Sequence, residues 1–419
     1  MPDPLPLGGM YRIPTFLLLL VAASACTSPA PDDGLSYDPP GSTVTDDKPV
    51  TLQERYTRAV DGTGVTFTTA FEGARLNDVA AVGEGAFRAT IRPENAPVNN
   101  SAWYAFQVSA EAPRTITVEL TYEEGDHRYL PKLSRDGKTW APIEPSAFAH
   151  DTTDGTARLT LQVTPEPLWV AGQELITSRT IQAWSDSMAT RPFVTQEIIG
   201  TSRGERPIRL LTITEDEAPS DYVLVIARQH PPEVPGQLAA LTFLEAVNAD
   251  TELARAFRQR YAVLAVPMVN PDGADEGHWR HNLGGIDLNR DWGDNFNQQE
   301  TQLVRDTFLQ RTEGGQVVFT LDFHSTQEDV FYTLARDLET VPPGFTDDWL
   351  DAIRAALPDY EVVDEPFGLG APVSKNWFYE TFQAPSITYE VGDEQDRGLL
   401  RDVSQAAAEG MMQLLIELR

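Results

Sequence analysis

One stretch constrains this chain more than any other: VLVIARQHPPE, residues 223–233. Five of its first six residues are apolar, the pattern of a strand buried on both faces of a largely parallel sheet. The run stops at a His, two prolines and a Glu. Open α/β sheets place their ligands where strands end in polar residues. His230 and Glu233 are three apart, so after a tight turn both side chains can reach one metal ion. Imidazole nitrogen and carboxylate oxygen are both zinc ligands, and a catalytic zinc takes three protein ligands and keeps one position open. The set then needs one more His at the end of another strand.

QVVFTLDFHST (316–326) is such a strand, and it closes on His324. Alone, a His in an apolar strand is more often a satisfied core residue. Beside a His-x-x-Glu that also closes a strand, it is the candidate third ligand. PIRLLTIT (207–214), DYVLVIAR (221–228), YAVLAVPMVNPDG and APSITYEV (384–391) read as further strands. Helical patterns cover 237–249, 251–260, 299–310, 349–356 and 399–418. This alternation predicts an α/β domain over 169–419, with a mixed, mostly parallel sheet flanked by helices.

Between the ligand strands lies GHWRHNLGGIDLNRDW (277–292), which holds Arg280, Asn289 and Arg290. Guanidinium is a planar fork that matches a carboxylate or an oxyanion, and two of them near a zinc are costly to bury without an anionic partner. A surface cluster making ordinary ion pairs is the alternative. Glu390 closes a third strand. A carboxylate beside an activated water can take its proton and pass it to a leaving amine, although a solvated strand end would read the same way.

The 419 residues carry a formal charge of −31, which excludes the nucleic-acid backbone as a partner. Residues 1–26 read as a signal peptide. Ile13 to Ala25 is an apolar run too short to span a membrane, and it ends in ASAC at Cys26, the only cysteine. This resembles a lipoprotein signal, in which Cys26 is lipidated and anchors an exported protein to a bacterial envelope membrane; an ordinary signal peptide is the alternative. Residues 27–50, rich in Pro, Ser, Thr, Gly and Asp, form a flexible linker. Short alternating runs over 51–168, such as AFRATI, TITVELTY and ARLTLQVT, predict an antiparallel β-sandwich. Within it Trp103, Tyr104 and Phe106 are core aromatics, Lys132, Arg135 and Lys138 a solvated hairpin edge, and His127 and His150 carry no chemistry.

HPPE, VPMVNPDG, RHNLGGIDLNRDW, ETQ, DFHS and TYEVGDE occur in the order and rough spacing of the zinc metallocarboxypeptidases, which residues 180–419 resemble. WYAFQV and HRYLPKLSRDGKTW resemble the β-sandwich that precedes the catalytic domain in the cytosolic carboxypeptidase (deglutamylase-like) branch. The resemblance implies one Zn2+ held by His230, Glu233 and His324. It implies Glu390 as general base and acid, Arg280 as the group that polarises the scissile carbonyl, and Asn289 and Arg290 as the pair on the substrate's terminal carboxylate. Asp287 would orient the first zinc histidine. Two features depart from the family pattern. HPGE is HPPE here, and a mobile tyrosine expected nine residues before Trp377 is replaced by Gly368, with Tyr379 or Tyr389 as substitutes.

Two residues before that tryptophan the family places the floor of the pocket for the terminal side chain. Here it is Lys375, which implies an acidic terminal residue such as glutamate or diaminopimelate. The expected function is removal of a C-terminal residue from peptides by Glu-assisted attack of water at the zinc. The alternatives are an envelope amidase that cuts muropeptides at the γ-D-glutamyl–diaminopimelate bond, and a non-catalytic binding lipoprotein.

Overall fold

Three sheets organise the protein, two in its first half and one in its second. The computed structural model describes residues 48–293, 296–367 and 369–418. The signal-like run, Cys26, most of the linker and Gly368 lie outside these residues.

Among the described residues the first half contains eleven strands. They are β1 (Thr57–Val60), β2 (Val65–Thr68), β3 (Asp78–Gly83), β4 (Ala86–Ile91), β5 (Ala105–Ala110) and β6 (Arg114–Tyr122), followed by β7 (Lys132–Ser134), β8 (Ala141–Pro142), β9 (Phe148–Asp151), β10 (Thr156–Val163) and β11 (Leu168–Ala171). One sheet runs β1-β2-β5-β11-β7-β8 and the other β3-β4-β6-β10-β9. β10 shows why they pack: Ala157, Leu159, Leu161 and Val163 are buried, while Arg158, Thr160 and Gln162 are exposed, the period of a strand with one wet face. Trp103, Tyr104 and Phe106 are buried in the core.

Two expectations need correction. The sandwich is not wholly antiparallel, because β4 and β6 pair in parallel. The intervening β5 lies in the opposite sheet, so the chain crosses over and returns in the same direction. Lys132 is not on a solvated edge. It is buried, and its ammonium donates to Gly172 O at 3.3 Å and Glu394 at 3.1 Å.

The second half begins with α1 (Ser178–Met188), β12 (Val194–Thr201), β13 (Pro207–Ile213), β14 (Asp221–Ala227), α2 (Val234–Val247) and α3 (Glu252–Arg258). Then come β15 (Ala262–Val266), α4 (Pro271–Glu276), α5 (Gln299–Arg311), β16 (Gln316–Thr326) and β17 (Val330–Leu334). It closes with α6 (Phe345–Ala356), β18 (Asp364–Phe367), α7 (Ser374–Phe382), β19 (Ser386–Gly392) and α8 (Arg397–Glu417). The sheet order is β12-β13-β15-β14-β16-β19-β17-β18, and its centre, β15-β14-β16-β19, is parallel. Both faces are covered. Val223, Val225, Phe319, Leu321 and Phe323 pack with helices α2, α6 and α8 on one side, and Leu224, Ile226 and Leu264 pack with α5 and α7 on the other. That double burial is what the near-continuous apolar runs encode.

The two halves share a core. Val234, Met268, Ala274 and Trp279 of the α/β half are packed into the apolar centre of the sandwich. The buried Arg75 reaches across to donate to Gly277 O at 2.6 Å and Glu276 O at 3.1 Å. The halves should therefore unfold together. In urea, far-ultraviolet circular dichroism and tryptophan fluorescence should trace one coincident transition, and Trp279→Ala should lower its stability by about 3–5 kcal/mol. Two separated transitions would contradict a shared core.

Candidate active site

β14 ends at Ala227, and Arg228 turns the chain sharply by adopting a left-handed backbone (φ +59°). Its Nε donates to Pro231 O at 2.8 Å, which closes the turn. His230 and Glu233 follow, and α2 starts at Val234 with a proline in its first turn. α2 packs so close to β16 that a Cβ on Gly236 would lie 2.2 Å from His324 O. No larger residue fits, and Gly236 N donates to Ser325 Oγ at 2.7 Å.

This approach brings the expected ligands together. His230 Nδ1 lies 2.8 Å from Glu233 Oε1, and His324 Nδ1 lies 2.7 Å from Glu233 Oε2 and 3.1 Å from His230 Nδ1. All three donor atoms fall within 4.8 Å of one another, and this is the single such cluster found among the described residues. Each imidazole turns its other nitrogen to a buried carboxylate: His230 Nε2 to Asp287 Oδ1 and His324 Nε2 to Asp322 Oδ2, both at 2.8 Å. Those bonds put the proton on Nε2 and leave the Nδ1 lone pairs facing inward, the arrangement that metal-ligating histidines use. Two imidazoles and one carboxylate are a donor set for catalytic zinc. Burial alone would raise the Glu233 carboxyl, but when His230 and His324 are protonated their charges outweigh it and hold it well below the usual range.

Glu390 stands directly beside His324 in the β16–β19 register. Side chains alternate across the sheet, so Thr388 and Glu390 face the site while Tyr389 faces away and stacks on Phe331 at 4.2 Å. Tyr389 therefore cannot substitute for the missing tyrosine. Burial pushes the Glu390 carboxyl up to about 7, with the charge of Glu233 adding to it. Its Oε2 is buried and meets no hydrogen-bond donor among the described residues.

Arg280, Asn289 and Arg290 line one pocket with His230, Glu233 and Glu390. Arg280 Nε donates to Asp287 Oδ2 at 2.7 Å, and its Nη1 lies 3.9 Å from Glu233. Asp287 also accepts from Asn289 N at 2.8 Å, so one carboxylate fixes a histidine, an arginine and an asparagine. Asn289 Oδ1 accepts from Ser374 N at 2.9 Å, which ties α7 to the site. Lys375, the next residue, is fully buried. Its Nζ donates to Asn376 Oδ1 at 3.0 Å, and burial pushes the ammonium down to about 7. The pocket wall is formed by Val373, and Lys375 is not among the residues that line it.

Sequence reasoning missed three contributors. Asp322 sits two residues before His324 on the same strand face, a spacing that could have revealed it. Glu94 and Arg128 belong to the sandwich, and nothing near them in sequence points to a site. The buried carboxylate of Glu94 accepts from Trp279 N, Arg280 N and His281 N at 2.7, 3.0 and 2.7 Å, and so fixes the backbone that carries Arg280. Arg128 lines the catalytic pocket itself.

The family profile described as zinc carboxypeptidase matches residues 181–411, and the profile of the cytosolic carboxypeptidase N-terminal domain matches 67–172. This chain belongs to the zinc carboxypeptidase family. It is 24% identical over 342 residues to an uncharacterised protein of Zymomonas mobilis, covering 77% of this chain and 86% of that one. It is 25% identical over 264 residues to mouse cytosolic carboxypeptidase 6, covering 55% of this chain and 46% of that protein. The chain thus spans about half the length of that curated carboxypeptidase. Two solved structures share the fold. The metallo-carboxypeptidase from Burkholderia cenocepacia has a TM-score of 0.72 at 19% identity, covering 85% of this chain and 100% of that one. The metallo-carboxypeptidase from Pseudomonas aeruginosa, solved in complex with (2-guanidinoethylmercapto)succinic acid, has a TM-score of 0.70 at 19% identity, covering 84% and 100%.

The carboxylates behind the histidines should control metal retention. Asp322→Ala should weaken zinc binding about 10- to 100-fold, measured by competition with a chromogenic chelator. Unchanged affinity would mean that Asp322 does not orient His324.

Proposed function

We propose that this protein removes the C-terminal residue of peptides, prefers an acidic one, and works in the bacterial envelope as a lipid-anchored protein. The observation that carries the reading is one pocket that joins the metal-ligand set to Arg280, Asn289, Arg290 and the partnerless Glu390 oxygen. Zinc bound by His230, Glu233 and His324 supplies a Lewis acid that polarises a carbonyl and acidifies water. Asn289 and Arg290 hold the terminal carboxylate of the substrate. Glu390 takes a proton from water as its oxygen attacks the scissile carbon, and Arg280 donates to the oxygen that becomes negative. The C–N bond then breaks, and Glu390 returns the proton to the departing amine. Burial raises the Glu390 carboxyl, and bound zinc would bring it back toward the ionised form that a base requires.

The acidic preference rests on the resemblance, which puts Lys375 at the family's pocket-floor position; its side chain is buried, and Val373 lines the pocket in its place.

The test is release of amino acids from peptides that differ only in their last residue, namely Glu, Asp, Leu, Phe, Lys or diaminopimelate. Glu or Asp should be released first. Glu390→Gln should lower kcat by about 10²–10⁴-fold. Lys375→Met, which keeps the stem and removes the charge, should cut the preference for Glu over Leu by roughly 10- to 100-fold. Release of Leu or Phe first would remove the role of Lys375 and keep the enzyme. No release by the zinc-loaded protein, with cleavage of purified muropeptides, would favour the amidase instead.

The envelope location rests on the ASAC sequence at Cys26. Among the described residues no helix is long and apolar enough to cross a membrane. Cys26→Ser should move the protein from the membrane pellet to the soluble fraction of a bacterial host, and retention in the pellet would count against the anchor.

A further inference from the structure

The catalytic pocket has about 30 Å³ of free space, room for about two water molecules. A peptide that places its scissile bond there must continue elsewhere. A hollow of about 380 Å³ adjoins the pocket and shares three residues with it, Asn99, Arg128 and Thr326. Two of these, Asn99 and Arg128, come from the sandwich, and Thr326 ends β16.

Arg128 is held there by protein contacts. Its Nε donates to Asp393 Oδ2 at 2.8 Å, and its Nη1 donates to Asn100 O at 3.3 Å and Ser101 Oγ at 3.0 Å. Nη2 has no hydrogen-bond partner among the described residues, and the side chain keeps 13% of its surface open. The guanidinium is thus fixed in place with one end left for an acceptor, an arrangement that costs little further ordering when a ligand arrives. Asp393 balances its charge, so the open N–H suits a neutral oxygen.

We propose that Arg128 is a substrate-positioning residue supplied by the β-sandwich, donating from Nη2 to the substrate carbonyl oxygen that lies one residue to the amino side of the scissile carbonyl. This rests on the carboxypeptidase reading. It gives the sandwich a direct part in catalysis: the fold that precedes the catalytic domain grips the body of the peptide while Asn289 and Arg290 grip its end. Substrates long enough to offer that carbonyl are processed with a higher kcat/KM than those that end at the scissile amide.

The test compares three substrates with the same terminal residue: an N-acetyl amino acid, an N-acetyl dipeptide and an N-acetyl tripeptide. The acetyl amino acid has no carbonyl beyond the scissile one. For the zinc-loaded wild-type protein, kcat/KM should rise at least tenfold when that carbonyl is added, mostly through KM. Arg128→Ala should flatten the rise, and Arg128→Lys should restore part of it. A uniform fall on all three substrates, with the ratio between them kept, would assign Arg128 a structural role through Asp393 and overturn the proposal. Absence of any length dependence in the wild-type protein would overturn it without a variant. Release from none of the three, with zinc bound, would overturn the carboxypeptidase reading and this inference with it.

Discussion

The site depends on one close approach, the N-terminal turn of α2 against β16 at Gly236. A helix that begins one residue after Glu233 carries that ligand with it, and the strand it touches carries His324. A Cβ at Gly236 would meet His324 C at 2.6 Å as well as its oxygen. Close-packed interiors do not absorb such overlap without moving backbone. The separation of Glu233 from His324 is thus set by a backbone contact that only glycine allows. The prolines at 231 and 232 and the left-handed Arg228 stiffen the other side of the same turn. Ligand geometry here follows from main-chain packing, with side-chain rotation left little to decide.

The second dependence crosses between the two halves of the protein. Three successive amides, from Trp279 to His281, converge on the Glu94 carboxylate. Burial alone would raise that carboxyl, but the charges of His278, His281 and Arg75 hold it at about 2. It therefore stays a charged acceptor, and charge-assisted bonds to backbone are among the strong ones. Asn95, its neighbour, accepts from His281 Nδ1 at 2.7 Å and donates from its Nδ2 to Gly285 O at 3.1 Å. The loop that delivers Arg280 and Asp287 is thus shaped by the sandwich. Removing the sandwich would expose Trp279 and free that loop, so the catalytic half is not a self-sufficient unit.

Much of this was legible because buried parallel strands write themselves as apolar runs. β14, β16 and β19 are apolar runs that carry the polar residues of the site at or near their C-terminal ends, and that pattern pointed to His230, His324 and Glu390. α7 was harder. Its sequence SKNWFYETF mixes aromatics with polar residues, and its conformation is fixed by Asn289 and by the packing of Trp377 and Phe378 on Trp292. Lys132 read as a surface cation because its strand looks like a hairpin edge; the burial comes from docking on Glu394, 262 residues away. Glu94 and Arg128 were invisible for the same reason. Their partners lie across the domain boundary, and local patterning carries no trace of them.

The charges around the pocket act on one another at close range. Burial raises the carboxyl of Glu390, and the charge of Glu233 adds to it. A divalent charge on Glu233 would relieve that repulsion and bring Glu390 toward the ionised form a base requires. Beyond the pocket the chain is strongly acidic, at −31, and over distances longer than about 8–10 Å that field is screened at physiological salt. An anionic peptide terminus is thus opposed by the surface only weakly, and is met inside by guanidiniums that water screens far less. On the proposed reading, recognition of the terminal carboxylate would be a short-range property of the pocket, set by Asn289 and Arg290 on the loop after Glu276.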